Sequence, residues 1–256
     1  MSEGSSGAAR GVASSAPHVA TAVAFLASVN LILNRAVPPP LAVPAALSAA
    51  AVAVLLGAQA GADLREQGLS RETVPRGVRA GLVAGVPIAL LVGLGAFFPP
   101  TSRFFRDVRI TQATPAQAAY QLLVRIPLAT SASEELMFRS ALEGILGRYR
   151  SPPHAAFISA LLFGAWHVLP ALERLHSNPG LRSVHEGRVA RRAAVVAGTV
   201  GISAAASLGL SWLRRRTGSV IASILLHYSI NAGGFAGGWL ASRGDDTLPS
   251  PQNSPI

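Results

Sequence analysis

Cysteine is absent from this chain, and all of its basic residues are arginine. The first absence excludes disulfides, thiol nucleophiles and cysteine-ligated metal. Charge is also scarce: only 13% of the 256 residues are Asp, Glu, Lys or Arg, against about 25% in a soluble globular domain. That deficit excludes an ordinary soluble fold. There is no H-E-x-x-H zinc helix and no G-x-S-x-G nucleophile elbow, which removes two common hydrolase architectures. The chain shows no internal repeat, and no compact cleavable signal, because Pro17 and His18 lead directly into a long apolar run.

What is present is apolar length. Half of the residues are hydrophobic and the mean hydropathy is +0.41. The 25 glycines and 18 prolines are better tolerated by a helical membrane protein than by a soluble one. Apolar runs are centred on residues of about 18–36, 40–61, 79–98, 116–147, 154–171, 193–213 and 219–241. The expected fold is therefore all-α, a polytopic transmembrane helical bundle of about seven spans, within a range of six to eight. Residues 1–17, rich in Ser, Gly and Ala, and the polar tail 242–256 are expected to be disordered. Residues 18–115 form the N-terminal transmembrane helices and 116–241 the core.

The net charge is +10. The arginines lie in short loops between apolar runs, as in Leu213-Arg-Arg-Arg-Thr217. That placement suits anchoring at lipid headgroups, and no nucleic-acid partner is expected. The arginines divide about evenly between the two sides, so the positive-inside rule does not orient the chain.

Charged groups within a span cost at least about 2.5 kcal/mol each, and they normally face a protein interior or a wet cavity. The stretch SASEELMFRS, residues 131–140, carries Glu134, Glu135 and Arg139. Glu135 and Arg139 are four apart with the acid first, so they can pair along one helix face. Glu134 is turned about 100° away and has no cation near it in sequence. An isolated carboxylate at depth suits general acid/base work. His167 lies near the end of the fifth run, in FGAWH. His227 and Asn231, in HYSIN, share a helix face and can offer two hydrogen-bond donors. Alone, His167 is better read as a histidine satisfied by a backbone carbonyl or headgroup, and His227 with Asn231 equally well as interhelical polar glue. Together, an acid, a histidine, and a histidine with an amide on three helices supply what peptide-bond hydrolysis requires: water activation and an oxyanion site. Asn30 is expected to make an interhelical hydrogen bond, Glu143 to lie near the membrane surface, and the glycines of 232–238 to serve close helix packing.

EELMFR, FGAWH and HYSIN, in that order, resemble the E-E-x-x-x-R, F-x-x-x-H and H-x-x-x-N motifs of the CPBP family. These are the type II, Ras-converting CAAX-prenyl proteases and their bacterial relatives linked to bacteriocin processing and immunity, also called Abi proteins. The resemblance covers about residues 116–241, with Ser140 standing where relatives often have glycine. It implies an intramembrane endopeptidase acting on a membrane-associated protein or peptide, with CAAX-type prenylation of that substrate left open, in a multi-pass protein of a bacterial cell membrane. By resemblance, Glu134 and His167 activate the attacking water, His227 and Asn231 hold the oxyanion, and Glu135 and Arg139 support them. Zinc is an optional cofactor, with Glu134, His167 and His227 as its candidate ligands. The alternatives are a non-catalytic immunity or binding protein of the same family and a proton-coupled transporter. Oligomeric state is not legible.

Overall fold

In the computed structural model, residues 4–182 and 187–244 are described. They form an all-helical, polytopic membrane protein without strands among the described residues. The helices are α1 (Gly4–Arg35), α2 (Ala42–Gln59), α3 (Val74–Leu94), a long α4 from Pro115 to Gly147, α5 (Pro152–Trp166), α6 (Val168–Ser177), α7 (Arg188–Thr217) and α8 (Val220–Ala241). Six segments are long and apolar enough to cross a bilayer: α1 from Pro17, α2, α3, α5 with α6, α7 and α8. The remaining expected span is α4, whose carboxylates and Arg139 set it apart.

Proline fixes several helix starts. Pro75, Pro115 and Pro152 each sit in a first turn, where the missing N–H has no partner to lose. Thr114 and Gln117 add a capping box to α4. Pro75 draws the start of α3 back to Val74, so residues expected to belong to a polar loop are helical. The expected disorder of residues 1–17 meets a helix that already runs from Gly4. Ala-rich chain extends readily from a helix nucleated in the apolar run, since propagation is far easier than nucleation. The expected loop at 172–191 is largely helical, in α6 and the start of α7. Residues 245–256, most of the tail expected to be disordered, lie outside the described residues.

The α4 helix occupies the centre. From Ser131 to Leu146 every residue is buried except Ala132 and Leu136, which are half-buried. The lipid-facing helices α1, α2 and α3 bury only about a fifth of their apolar windows: 17, 22 and 17%. Much of α4, over Gln121–Ala132 and Leu136–Leu142, is wound as π-helix. The Ser133 N–H accordingly reaches the Leu128 carbonyl, and that of Glu143 the Phe138 carbonyl. Such winding is rare and concentrates at functional sites. The main apolar core joins Leu26, Ala50, Phe138, Leu142, Phe163 and Trp166 from α1, α2, α4 and α5.

Helix α8 packs most extensively on α3. A Cβ at Gly233 would collide with the Ala89 backbone, and one at Gly237 with the Gly93 backbone, so glycine permits the approach. At the other end, Gly218 takes the left-handed conformation (φ 68°) and stops α7. The loops on this face are tied together. Arg148 pairs with Glu66 at 3.2 Å, Arg76 Nε donates to the Thr217 carbonyl at 2.7 Å, and Val220 N–H donates to the Gly68 carbonyl at 2.9 Å. On the opposite face, Asp107 accepts from Arg109 and from Ser177 Oγ, at 2.8 Å each. Asn178 holds the Phe104 carbonyl there at 3.2 Å.

Candidate active site

The two glutamates of α4 turn to different partners. Glu135 Oε2 lies 3.2 Å from Arg139 Nε, both side chains fully buried. The contact has the distance of an ion pair but not the alignment of a hydrogen bond. Arg139 instead lays its guanidinium over the Phe163 ring, 4.2 Å from the centroid, a favourable cation–π arrangement in a dry setting. The other oxygen of Glu135, Oε1, is 2.9 Å from His227 Nδ1. A carboxylate can only accept, so Nδ1 carries the hydrogen, and His227 Nε2 is aimed away from Glu135. Glu135 therefore does more than pair with Arg139: it orients a histidine from α8.

Glu134 finds its partners on two other helices. Its Oε1 accepts from Trp166 Nε1 at 3.3 Å. Its Oε2 has no hydrogen bond among the described residues and stands 3.9 Å from His227 Nε2. That separation is too long for a hydrogen bond and has the span that a shared water bridges.

His167 sits at the bend between α5 and α6, with φ −85° and ψ 3°. Its backbone N–H turns to the Gly164 carbonyl, which leaves the Phe163 carbonyl to accept from His167 Nδ1 at 2.8 Å. This assigns the hydrogen to Nδ1 and leaves the Nε2 lone pair free to act as a base. His167 makes no hydrogen bond or ion pair with Glu134 or His227 among the described residues. The link is the Phe163 ring, whose centroid lies 4.7 Å from that of His167 and 5.8 Å from that of His227. Asn231 lies one turn beyond His227 on α8, half-buried, and its amide makes no hydrogen bond among the described residues. The six expected residues thus fall on α4, α8 and the end of α5, and three of them, Arg139, His167 and His227, meet at the Phe163 ring. Glu134, Glu135, Arg139 and His227 are joined directly. His167 reaches the group only through the Phe163 ring, and Asn231 only by its place one turn from His227 on α8.

For a metal, the fit is poor. Among the described residues no group of three or more histidines, aspartates or glutamates is arranged to hold an ion. Glu134 and His227 approach each other, but His167 does not complete a three-ligand set with them.

Three contributors were not assigned a site role from sequence. Trp166 donates to Glu134; its signal was an indole N–H at depth, which needs an acceptor. Glu143, expected near the membrane surface, is buried within the protein. It accepts from Ser211 Oγ and lies 4.0 Å from Arg215 Nη1. Its spacing of four from Arg139 was the available clue. Asn30 makes the expected interhelical bond, and its acceptor is the Trp166 carbonyl, at 3.0 Å. Ser140 is fully buried with an unbonded hydroxyl.

No curated protein and no solved structure shows significant similarity to the chain. A family model does match, over the helices that carry the candidate site: residues 116–233 are similar to the Rce1-like type II CAAX prenyl endopeptidase family.

Proposed function

We propose that the protein is an intramembrane endopeptidase that hydrolyses a peptide bond by a glutamate-activated water, without an obligatory metal. The observation that carries this reading is the facing pair of Glu134 Oε2 and His227 Nε2, 3.9 Å apart, each held from behind by a separate partner. The similarity of residues 116–233 to a protease family supports it.

In the proposed reaction Glu134 Oε2 takes a proton from water as the water oxygen bonds to the scissile carbonyl carbon. The carbonyl π electrons move onto oxygen. His227 Nε2–H and the Asn231 amide donate to that oxyanion, the charge-stabilising step that dominates acyl transfer. Collapse restores the carbonyl and breaks the C–N bond, and the proton held by Glu134 passes to the departing amine. Donation from Nε2 requires a hydrogen there as well as on Nδ1, which Glu135 holds. His167, with its free Nε2, assists the proton transfers. The substrate is a membrane-associated, CAAX-type prenylated protein or peptide.

The test is cleavage of farnesylated and unprenylated peptides by the purified protein. E134Q should lose at least about a hundredfold in kcat. Chelation should leave the wild-type rate unchanged, and the farnesylated peptide should be preferred. Full activity in E134Q would sink the reading; loss on chelation with recovery on added zinc would overturn its metal-independent part.

A further inference from the structure

We infer that Trp166 is a positioning residue for Glu134, and that Asn30 of α1 holds Trp166, so the working site extends beyond the family-matched segment into the first helix. This rests on the reading of Glu134 as the base.

A carboxylate at the end of three rotatable bonds has two equivalent oxygens. Efficient proton transfer needs one of them fixed toward the water. In this site the choice is made by the Trp166 indole, whose N–H takes Oε1 at 3.3 Å and leaves Oε2 toward His227. The indole is itself fixed. It is 8% exposed and stands edge-on to Phe138, centroids 5.5 Å apart. Phe138 is in turn edge-on to Phe163 at 5.1 Å.

The backbone explains why α1 is needed. The carbonyl of Trp166 would normally bond the N–H four residues on, but that residue is Pro170, which has none. Helix α5 ends at Trp166 for this reason, and the chain bends at His167. The stranded carbonyl accepts instead from Asn30 Nδ2 at 3.0 Å. A buried carbonyl without a donor is destabilising, so Asn30 both stabilises the bend and fixes the height of the indole. The carbonyl of Asn30 accepts from Asn34 Nδ2 at 2.7 Å, which adds a polar contact one turn further along α1.

The experiment uses the full chain, with Trp166 replaced site-specifically by 3-benzothienylalanine. That isostere keeps the ring shape and replaces the N–H by sulfur. We expect kcat to fall about tenfold or more, with KM within about twofold, because the base is misoriented while binding is untouched. N30A should lower kcat in the same sense, and W212F, at an exposed position on α7, should not. A second readout is independent of turnover. In the ¹⁵N spectrum of the indole groups, E134Q should move the Trp166 signal and leave those of Trp212 and Trp239 in place. Wild-type kcat in the isostere, with E134Q inactive, would overturn the positioning role alone. Full activity in E134Q would instead remove the base reading. An indole signal indifferent to E134Q would show that the hydrogen bond does not exist.

Discussion

Arg139 neutralises a carboxylate that also grips a histidine. It is fully buried, faces Glu135 at 3.2 Å, and its charge also acts on Glu143. Removing one member of a buried pair strands the other, at about 3–5 kcal/mol. R139A should therefore lower the unfolding temperature in detergent sharply, and R139K, which loses the planar contact with Phe163, should recover only part of it. An R139A protein as stable as wild type would contradict the assignment. At this scale the sequence was partly legible. Spacing alone paired Glu135 with Arg139 and left Glu134 apart. It could not show that Glu135 also holds His227, because 92 residues separate them and only the packing of α8 against α4 brings them together. Trp166 was hidden differently: its bulk and place in FGAWH fit a packing residue equally well.

Helices meet here by two devices, and each has its own sensitivity. Helix α4 packs its side chains against small residues of α2, such as Ala50 and Ala53, and aromatic ones of α5, Phe163 and Trp166, whereas α8 lies against α3 backbone to backbone at Gly233 and Gly237. G237A would force a methyl into the Gly93 backbone, which cannot move as a flexible side chain can. Overpacking of this kind destabilises by about 1–3 kcal/mol. The G237A protein should unfold at lower temperature and lose activity in parallel, since α8 carries His227 and Asn231. An alanine at Gly198, where nothing lies within 4 Å, should be neutral. The glycine spacing on α8 was readable as a close-packing signal, but its partner helix was not. Span limits shifted wherever proline set a helix start, as at Pro75 in α3, because hydropathy marks where a helix is apolar and proline marks where it can begin.

The whole molecule is closed by polar clasps on its two faces. On one, burial of Asp107 opposes its ionisation, but the hydrogen bonds and charge of Arg109, with the Ser177 hydroxyl, outweigh it and hold the carboxyl below its ordinary range. The folded value lies below the unfolded one. The contribution is thus complete above about pH 4 and is lost as pH falls through the depressed folded value. Because Arg109 is 56% exposed, solvent screening limits the effect to about 1 kcal/mol. D107N should be less stable than wild type at pH 7, and thermal melts of the two should converge as the pH drops toward about 3. A constant gap down to that pH would mean that the carboxylate charge contributes nothing.

The position of α8 also has a consequence for biosynthesis. Glu134 is laid down before its neighbour His227 exists, and the glycine seam with α3 cannot close until α8 inserts. During synthesis the membrane therefore holds a chain whose Glu134 has Trp166 but not His227 beside it, and whose α3 surface is open. A version ending at Ser219 should be inert and rapidly degraded, and supplying α8 as a separate peptide should restore both protease resistance and cleavage. Insertion of α8 is the step that brings the two sides of the candidate site together.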